Sequence, residues 1–133
     1  RRVEGEACCA LLENKTLAID VSQWVAQAFS ADRTNAFGGG EWNVRRLAFD
    51  RCYCLLRCGA RPVAVLDAEV PPREKGRGRR RSQLIRWSWV VADCFQLLGC
   101  PAMQAPSGVE AEALCAMLCQ RGLAQACVTT DRS

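Results

Sequence analysis

Four short apolar runs constrain this chain more than any other feature: Thr16–Ile19, Pro62–Leu66, Ala102–Ala105 and Ala126–Thr129. They are continuous, not alternating, so neither face of the strands they form is meant for water. Between them, apolar residues recur at helical spacing in Val21–Phe29, Trp42–Cys58, Ser82–Leu98 and Val109–Arg121. Gly59 and Gly122 supply C-terminal stops, as does Gly99-Cys-Pro101. Ser30–Gly40 reads as a loop, and Pro71-Pro72 breaks the pattern before a Gly- and Arg-rich stretch. The order is strand, helix, helix, strand, helix, strand, helix, strand. Continuous apolar strands separated by helices predict a mostly parallel sheet covered on both faces. At 133 residues there is length for one such domain and a substantial core.

Composition then narrows the chemistry. There is no histidine, which removes Ser-His-Asp and Cys-His catalysis and His-ligated zinc together. The net charge of +4 is concentrated. Residues 73–86 carry Arg73, Lys75, Arg77, Arg79, Arg80, Arg81 and Arg86 against the single acid Glu74. A basic segment of this kind suits a polyanionic partner, although a solvated loop or a nuclear-localisation run would look the same. The ten cysteines lie mostly in apolar periodic segments and include no Cys-x-x-Cys. They are read as buried reduced thiols in an intracellular, reducing compartment, not as a disulfide frame or a zinc or iron–sulfur site. No apolar run approaches the roughly 18 residues of a membrane span, so no membrane partner is expected.

Three of the apolar runs lead into an aspartate: Asp20, Asp67 and Asp131. In open parallel sheets ligands bind outside the carboxyl ends of the strands, so these acids should converge on one rim. Glu110 and Glu112 open the helix after the third strand and fall near the same rim. Carboxylates brought together repel and raise one another's pKa values unless a cation neutralises them. Hard divalent cations with oxygen ligands, Mg²⁺ or Mn²⁺, fit such a donor set. The plainer alternative is that each acid is a turn residue or helix cap. Residues two apart on a helix point about 200° apart, so Glu110 can share a site with Glu112 only at or before the first turn. A receiver domain also clusters acids at strand ends, but its late lysine is absent here. Gly38-Gly39-Gly40 lacks dinucleotide-binding spacing.

These residues resemble a known family. Thr16-Leu-Ala-Ile-Asp-Val-Ser-Gln-Trp24 is similar to the N-terminal block of the flap endonuclease (XPG-like) superfamily. The nearest branch is that of Holliday-junction resolvases and plant single-strand-specific endonucleases. Val44-Arg-Arg-Leu-Ala-Phe49 resembles the helix that follows in that branch. Pro62-Val-Ala-Val-Leu-Asp67 with Pro71-Pro72 and Lys75 resembles its second block. Cys94–Pro101 and Glu110-Ala-Glu-Ala-Leu-Cys-Ala116 resemble its internal block, and Ala126–Asp131 the next strand. The resemblance covers roughly residues 15–131.

It implies a PIN-like three-layer α/β/α fold, truncated at the C-terminus. Residues 1–14 are then an N-terminal extension, and 15–133 form one partial nuclease domain. Its parts are 15–72, a basic linker at 73–86 in place of an arch, and 87–133. The implied activity is structure-specific hydrolysis of phosphodiester bonds at branched DNA, a 5′ flap or a Holliday junction, in nuclear DNA repair or recombination. By position, Asp20, Asp67, Glu110, Glu112 and Asp131 match metal-site acids for two Mg²⁺ (or Mn²⁺) ions. Lys75 matches the basic residue facing the scissile phosphate, and Glu110 is placed to orient water. Arg73, Lys75, Arg77, Arg79, Arg80 and Arg81 are assigned to DNA backbone contact. A dimer on junctions is compatible with this.

The sequence also departs from the family pattern. Asp131-Arg-Ser133 stands where the family has Asp-x-Asp. A further metal acid and the helix–hairpin–helix clamp fall beyond residue 133, so little cleavage is expected of these residues alone. A catalytically degenerate binder of branched DNA is the main rival, and a cysteine-rich α/β interaction module the third. Trp87 and Trp89 are candidates for stacking on unpaired bases, but helical spacing assigns Trp89, like Trp24, to the core.

Overall fold

The computed structural model describes residues 10–31, 40–68 and 78–128. Among them are strands β1 (Thr16–Asp20), β2 (Arg61–Leu66), β3 (Ala102–Gln104) and β4 (Ala126–Val128). The helices are α1 (Val21–Ala31), α2 (Gly40–Arg57), α3 (Gly78–Leu97) and α4 (Ala111–Gln120). The element order is the expected one. The sheet runs β3-β2-β1-β4, and every pairing is parallel. The chain therefore starts at β1, steps outward through β2 to β3, and then crosses to the other side of β1 for β4. That reversal creates a crevice outside the carboxyl ends of β1 and β4, where open α/β sheets bind ligands.

Two apolar cores confirm that both faces are covered. Leu17, Ile19, Ala64 and Leu66 pack with Val25 of α1, Val44 of α2 and Phe95 of α3. Ala18 and Val65 point the other way and pack with Leu114, Cys115 and Leu118 of α4. Residues 17 to 19 thus alternate between two dry layers, which is why their sequence shows no polar alternation. The Trp24 and Phe95 rings meet at 5.5 Å between centroids, and Arg51 lies over Trp24 at 5.4 Å. Its Nη1 also donates to Gln27 Oε1, tying α2 to α1.

The helix ends follow from local chemistry. Gly59 adopts φ +81°. This left-handed turn lets Ala60 N–H donate to Leu55 O at 3.0 Å and Gly59 N–H to Leu56 O at 2.9 Å, closing α2. A side chain at position 59 would also meet Glu13 Cγ at 3.1 Å.

Several expectations need correction. Helix α3 begins at Gly78, not Ser82. Arg79, Arg80 and Arg81 therefore belong to its backbone instead of a loop, consistent with arginine being a good helix former. Trp89 is 43% exposed and not core; Trp87 packs on the core instead. Position 87 is in phase with Val90, Val91 and Cys94, whereas position 89 turns toward the side of Asp93 and Gln96. Tyr53, in the apolar-periodic segment Trp42–Cys58, is exposed and carries Arg57 over its ring at 5.9 Å. Cys58 is disulfide-bonded, against the expectation of reduced thiols throughout. Cys52, Cys54, Cys94, Cys100, Cys115, Cys119 and Cys127 are free. Among the described residues, no helix is long and apolar enough to cross a membrane.

Candidate metal centre

Strand parity decides which acids can meet. Asp20 lies opposite Val65 in the β1–β2 register, two residues before Asp67. Asp20 has the parity of Ala18, and Asp67 that of Val65, the two residues that face α4. Both aspartates therefore leave the sheet on the α4 side. Helix α4 begins there at Ala111, with Glu110 as its N-cap and Glu112 in its first turn.

Each aspartate is held by one oxygen at a helix N-terminus. Asp20 is 3% exposed. Its Oδ1 accepts from the Ser22 hydroxyl at 2.6 Å and from Ser22 N–H at 3.2 Å, in the first turn of α1. Asp67 Oδ1 accepts from Ala111 N–H at 2.7 Å, 44 residues away. Glu110 has extended backbone geometry, φ −82° and ψ 153°, and its own side chain makes no cap bond. Asp67 takes that place, so a residue at the end of β2 caps α4. Among the described residues, Oδ2 of neither aspartate has a hydrogen-bond donor.

The electrostatics are those of an acid cluster. Burial pushes the Asp20 carboxyl above its ordinary range, against the lowering effect of the Ser22 hydroxyl. The charges of Asp67 and, more weakly, Glu112 raise it further. A buried carboxylate is costly unless paired or metal-bound, and among the described residues no lysine or arginine is found acting on Asp20. Oxygen-only donors that repel one another suit a hard divalent cation. The fit is one of donor chemistry: among the described residues, no group of three or more such side chains is close enough to hold a metal ion.

The structure thus brings Asp20, Asp67 and Glu112 to one rim. Glu110 stands exposed one residue before α4, the position that sharing a site with Glu112 requires. Asp131, Arg73, Lys75 and Arg77 lie outside the described residues, as do the side chains of Arg79, Arg80 and Arg81. Sequence reasoning did not single out Ser22 or the Ala111 N–H. An Asp-x-Ser at a strand-to-helix junction is a capping pattern and could have pointed to Ser22. No local signal points to Ala111.

The fold and the rim define an α/β/α protein with an acidic crevice at the carboxyl ends of parallel strands. The XPG N-terminal domain matches residues 5–86, and the XPG I-region matches residues 99–132. The chain belongs to the XPG family. Over 159 residues it is 30% identical to flap endonuclease 1 of Cryptosporidium muris, covering 90% of this chain and 33% of that protein. Over 144 residues it is 28% identical to flap endonuclease GEN-like 1 of Arabidopsis thaliana, covering 90% and 23%. The catalytic core of Rad2 in complex with DNA substrate superposes with TM-score 0.68 at 34% identity, over 92% of this chain and 39% of that one. Human GEN1 in complex with Holliday junction DNA gives TM-score 0.65 at 26% identity, over 94% and 33%. The chain spans about a third or less of the length of these curated relatives.

Proposed function

We propose that the protein is a structure-specific DNA endonuclease that hydrolyses phosphodiester bonds at 5′ flaps or Holliday junctions. Its setting would be nuclear DNA repair or recombination. The observation that carries this is the convergence of Asp20, Asp67 and Glu112 at the carboxyl end of the sheet, in a chain whose structural neighbours were solved on DNA. Two Mg²⁺ or Mn²⁺ ions, when bound, would lower the pKa of the attacking water and stabilise the leaving oxygen. Asp20 and Asp67 would hold them from the strand ends, each through the oxygen its helix leaves free. Glu112 and Asp131 would complete the acid set, and Glu110, exposed at the mouth, would orient water. Lys75 would offset phosphate charge. Arg73, Arg77, Arg79, Arg80 and Arg81 would grip the backbone without reading sequence.

The test is cleavage of 5′-flap, bubble and four-way junction DNA by the full-length protein with Mg²⁺, beside a linear duplex. Cutting confined to the branched substrates and lost in Asp20→Asn supports the proposal. Tight branched-DNA binding with no cutting supports a catalytically degenerate relative instead. That second reading draws on Ser133, which stands where the family has a second acid, and on the open spacing of the described acids.

A further inference from the structure

Ser22 donates twice to the same atom, Asp20 Oδ1, once from its backbone N–H and once from its hydroxyl. Capping α1 requires only one of them: a backbone N–H two residues past the strand end, accepted by the aspartate. The hydroxyl bond at 2.6 Å is the shorter of the two and adds nothing further to the helix, because the donor is a side chain and not an orphan backbone group. Its effect is on the carboxylate. The terminal torsion of an aspartate is broad and roughly two-fold. A free Asp20 could therefore present either oxygen, or neither, to the crevice. Two donors on one oxygen fix the plane of the group and leave Oδ2 as the oxygen without a described donor. Burial keeps water from competing for that arrangement, since Asp20 is 3% exposed.

We propose that Ser22 is a positioning residue for the metal centre, holding Asp20 by Oδ1 so that Oδ2 is presented to the cation. This rests on the proposed divalent-metal function of the rim. Outer-shell hydrogen bonds to a metal-binding group are typically worth about 10–100-fold in metal affinity, and that is the effect assigned to the hydroxyl. The backbone bond from Ser22 N–H survives in Ser22→Ala, so α1 keeps its cap while the carboxylate loses its second restraint. Ser22→Thr keeps the hydroxyl at the same branch point.

The experiment is a Mn²⁺ titration of the 133-residue chain, with free Mn²⁺ read by electron paramagnetic resonance. The wild type is compared with Ser22→Ala, Ser22→Thr and Asp20→Asn. Circular dichroism and a melting curve in EDTA show that each variant is folded. Ser22→Ala should bind Mn²⁺ about 10–100-fold more weakly, and Ser22→Thr should return to within about threefold of wild type. A melting temperature that falls alone, with affinity within twofold of wild type, would make Ser22 a plain helix cap and overturn the proposal. So would weakened binding that Thr fails to restore. If the wild type binds no Mn²⁺, or binds it as tightly as Asp20→Asn does, the metal function of the rim fails and this inference with it.

Discussion

Removing the Asp67 side chain should weaken the fold and the metal centre separately, and two substitutions can tell the effects apart. Asp67 Oδ1 accepts from Ala111 N–H at 2.7 Å, and Glu110 supplies no cap of its own. A capping acceptor is worth about 1 kcal/mol, and a negative charge at a helix N-terminus about 0.3–1 kcal/mol more. Asp67→Ala loses both and should cost about 1–2 kcal/mol. Asp67→Asn keeps the acceptor and loses the charge, and should cost no more than about 0.3–1 kcal/mol, because relief of the repulsion with Asp20 offsets part of the loss. For a chain of this size each kcal/mol corresponds to roughly 3–5 °C in melting temperature. In EDTA the order should be wild type, then Asn, then Ala, with the alanine variant melting about 3–10 °C below wild type. Mn²⁺ should raise the melting temperature of wild type by mass action and do little for either variant. If Asp67→Ala melts with wild type in EDTA, the bond from the end of β2 to the start of α4 does not hold that helix.

Four other outcomes follow from the same structure. Asp20→Asn should be more stable than wild type in EDTA at neutral pH. Above its ordinary value of 3.8, a carboxyl raised by burial keeps a proton in the folded chain that the unfolded chain has lost. Metal-free stability therefore falls as pH rises through that interval, and urea midpoints should fall with pH more steeply in wild type than in Asp20→Asn. At pH 7.5, maleimide should label the exposed Cys54 rapidly and spare native Cys52, a thiol that burial pushes up to about 12; peptide mapping that finds Cys52 labelled first would contradict this. Phe95→Ala should cost about 3–5 kcal/mol, read as a lower urea midpoint, because Phe95 is fully buried against Trp24. Replacing Arg79, Arg80 and Arg81 together by alanine should weaken DNA binding and flatten its salt dependence; an unchanged slope would separate these arginines from phosphate contact.

The parts of the fold legible in the sequence were those set by burial on both faces. Leu17-Ala-Ile and Val63-Ala-Val-Leu read as strands because each residue enters one of two dry layers. Asp20 and Asp67 could be placed on one rim because parallel strands align their carboxyl ends. What was not legible depends on contacts between distant residues. The Asp67–Ala111 bond joins residues 44 apart and leaves no local trace. Trp87 and Trp89 are both aromatic and both lie near the apolar stripe of α3. Only the packed helix shows which of them turns inward. The start of α3 is not legible because glycine and arginine together read as a loop, while three consecutive arginines after Gly78 are compatible with a helix. Cys58 looked like its neighbours, since spacing alone does not reveal a disulfide partner.

The most direct test of the acidic rim is anomalous diffraction at the manganese edge from crystals of the 133-residue chain soaked in Mn²⁺. The account predicts anomalous density at the carboxyl ends of β1 and β2, within coordination distance of Asp20 Oδ2 and Asp67 Oδ2. In the same crystals, Oδ1 of each aspartate should remain bonded to Ser22 and to Ala111 N–H. Mn²⁺ held elsewhere, or no density between these two carboxylates at saturating Mn²⁺, would contradict it.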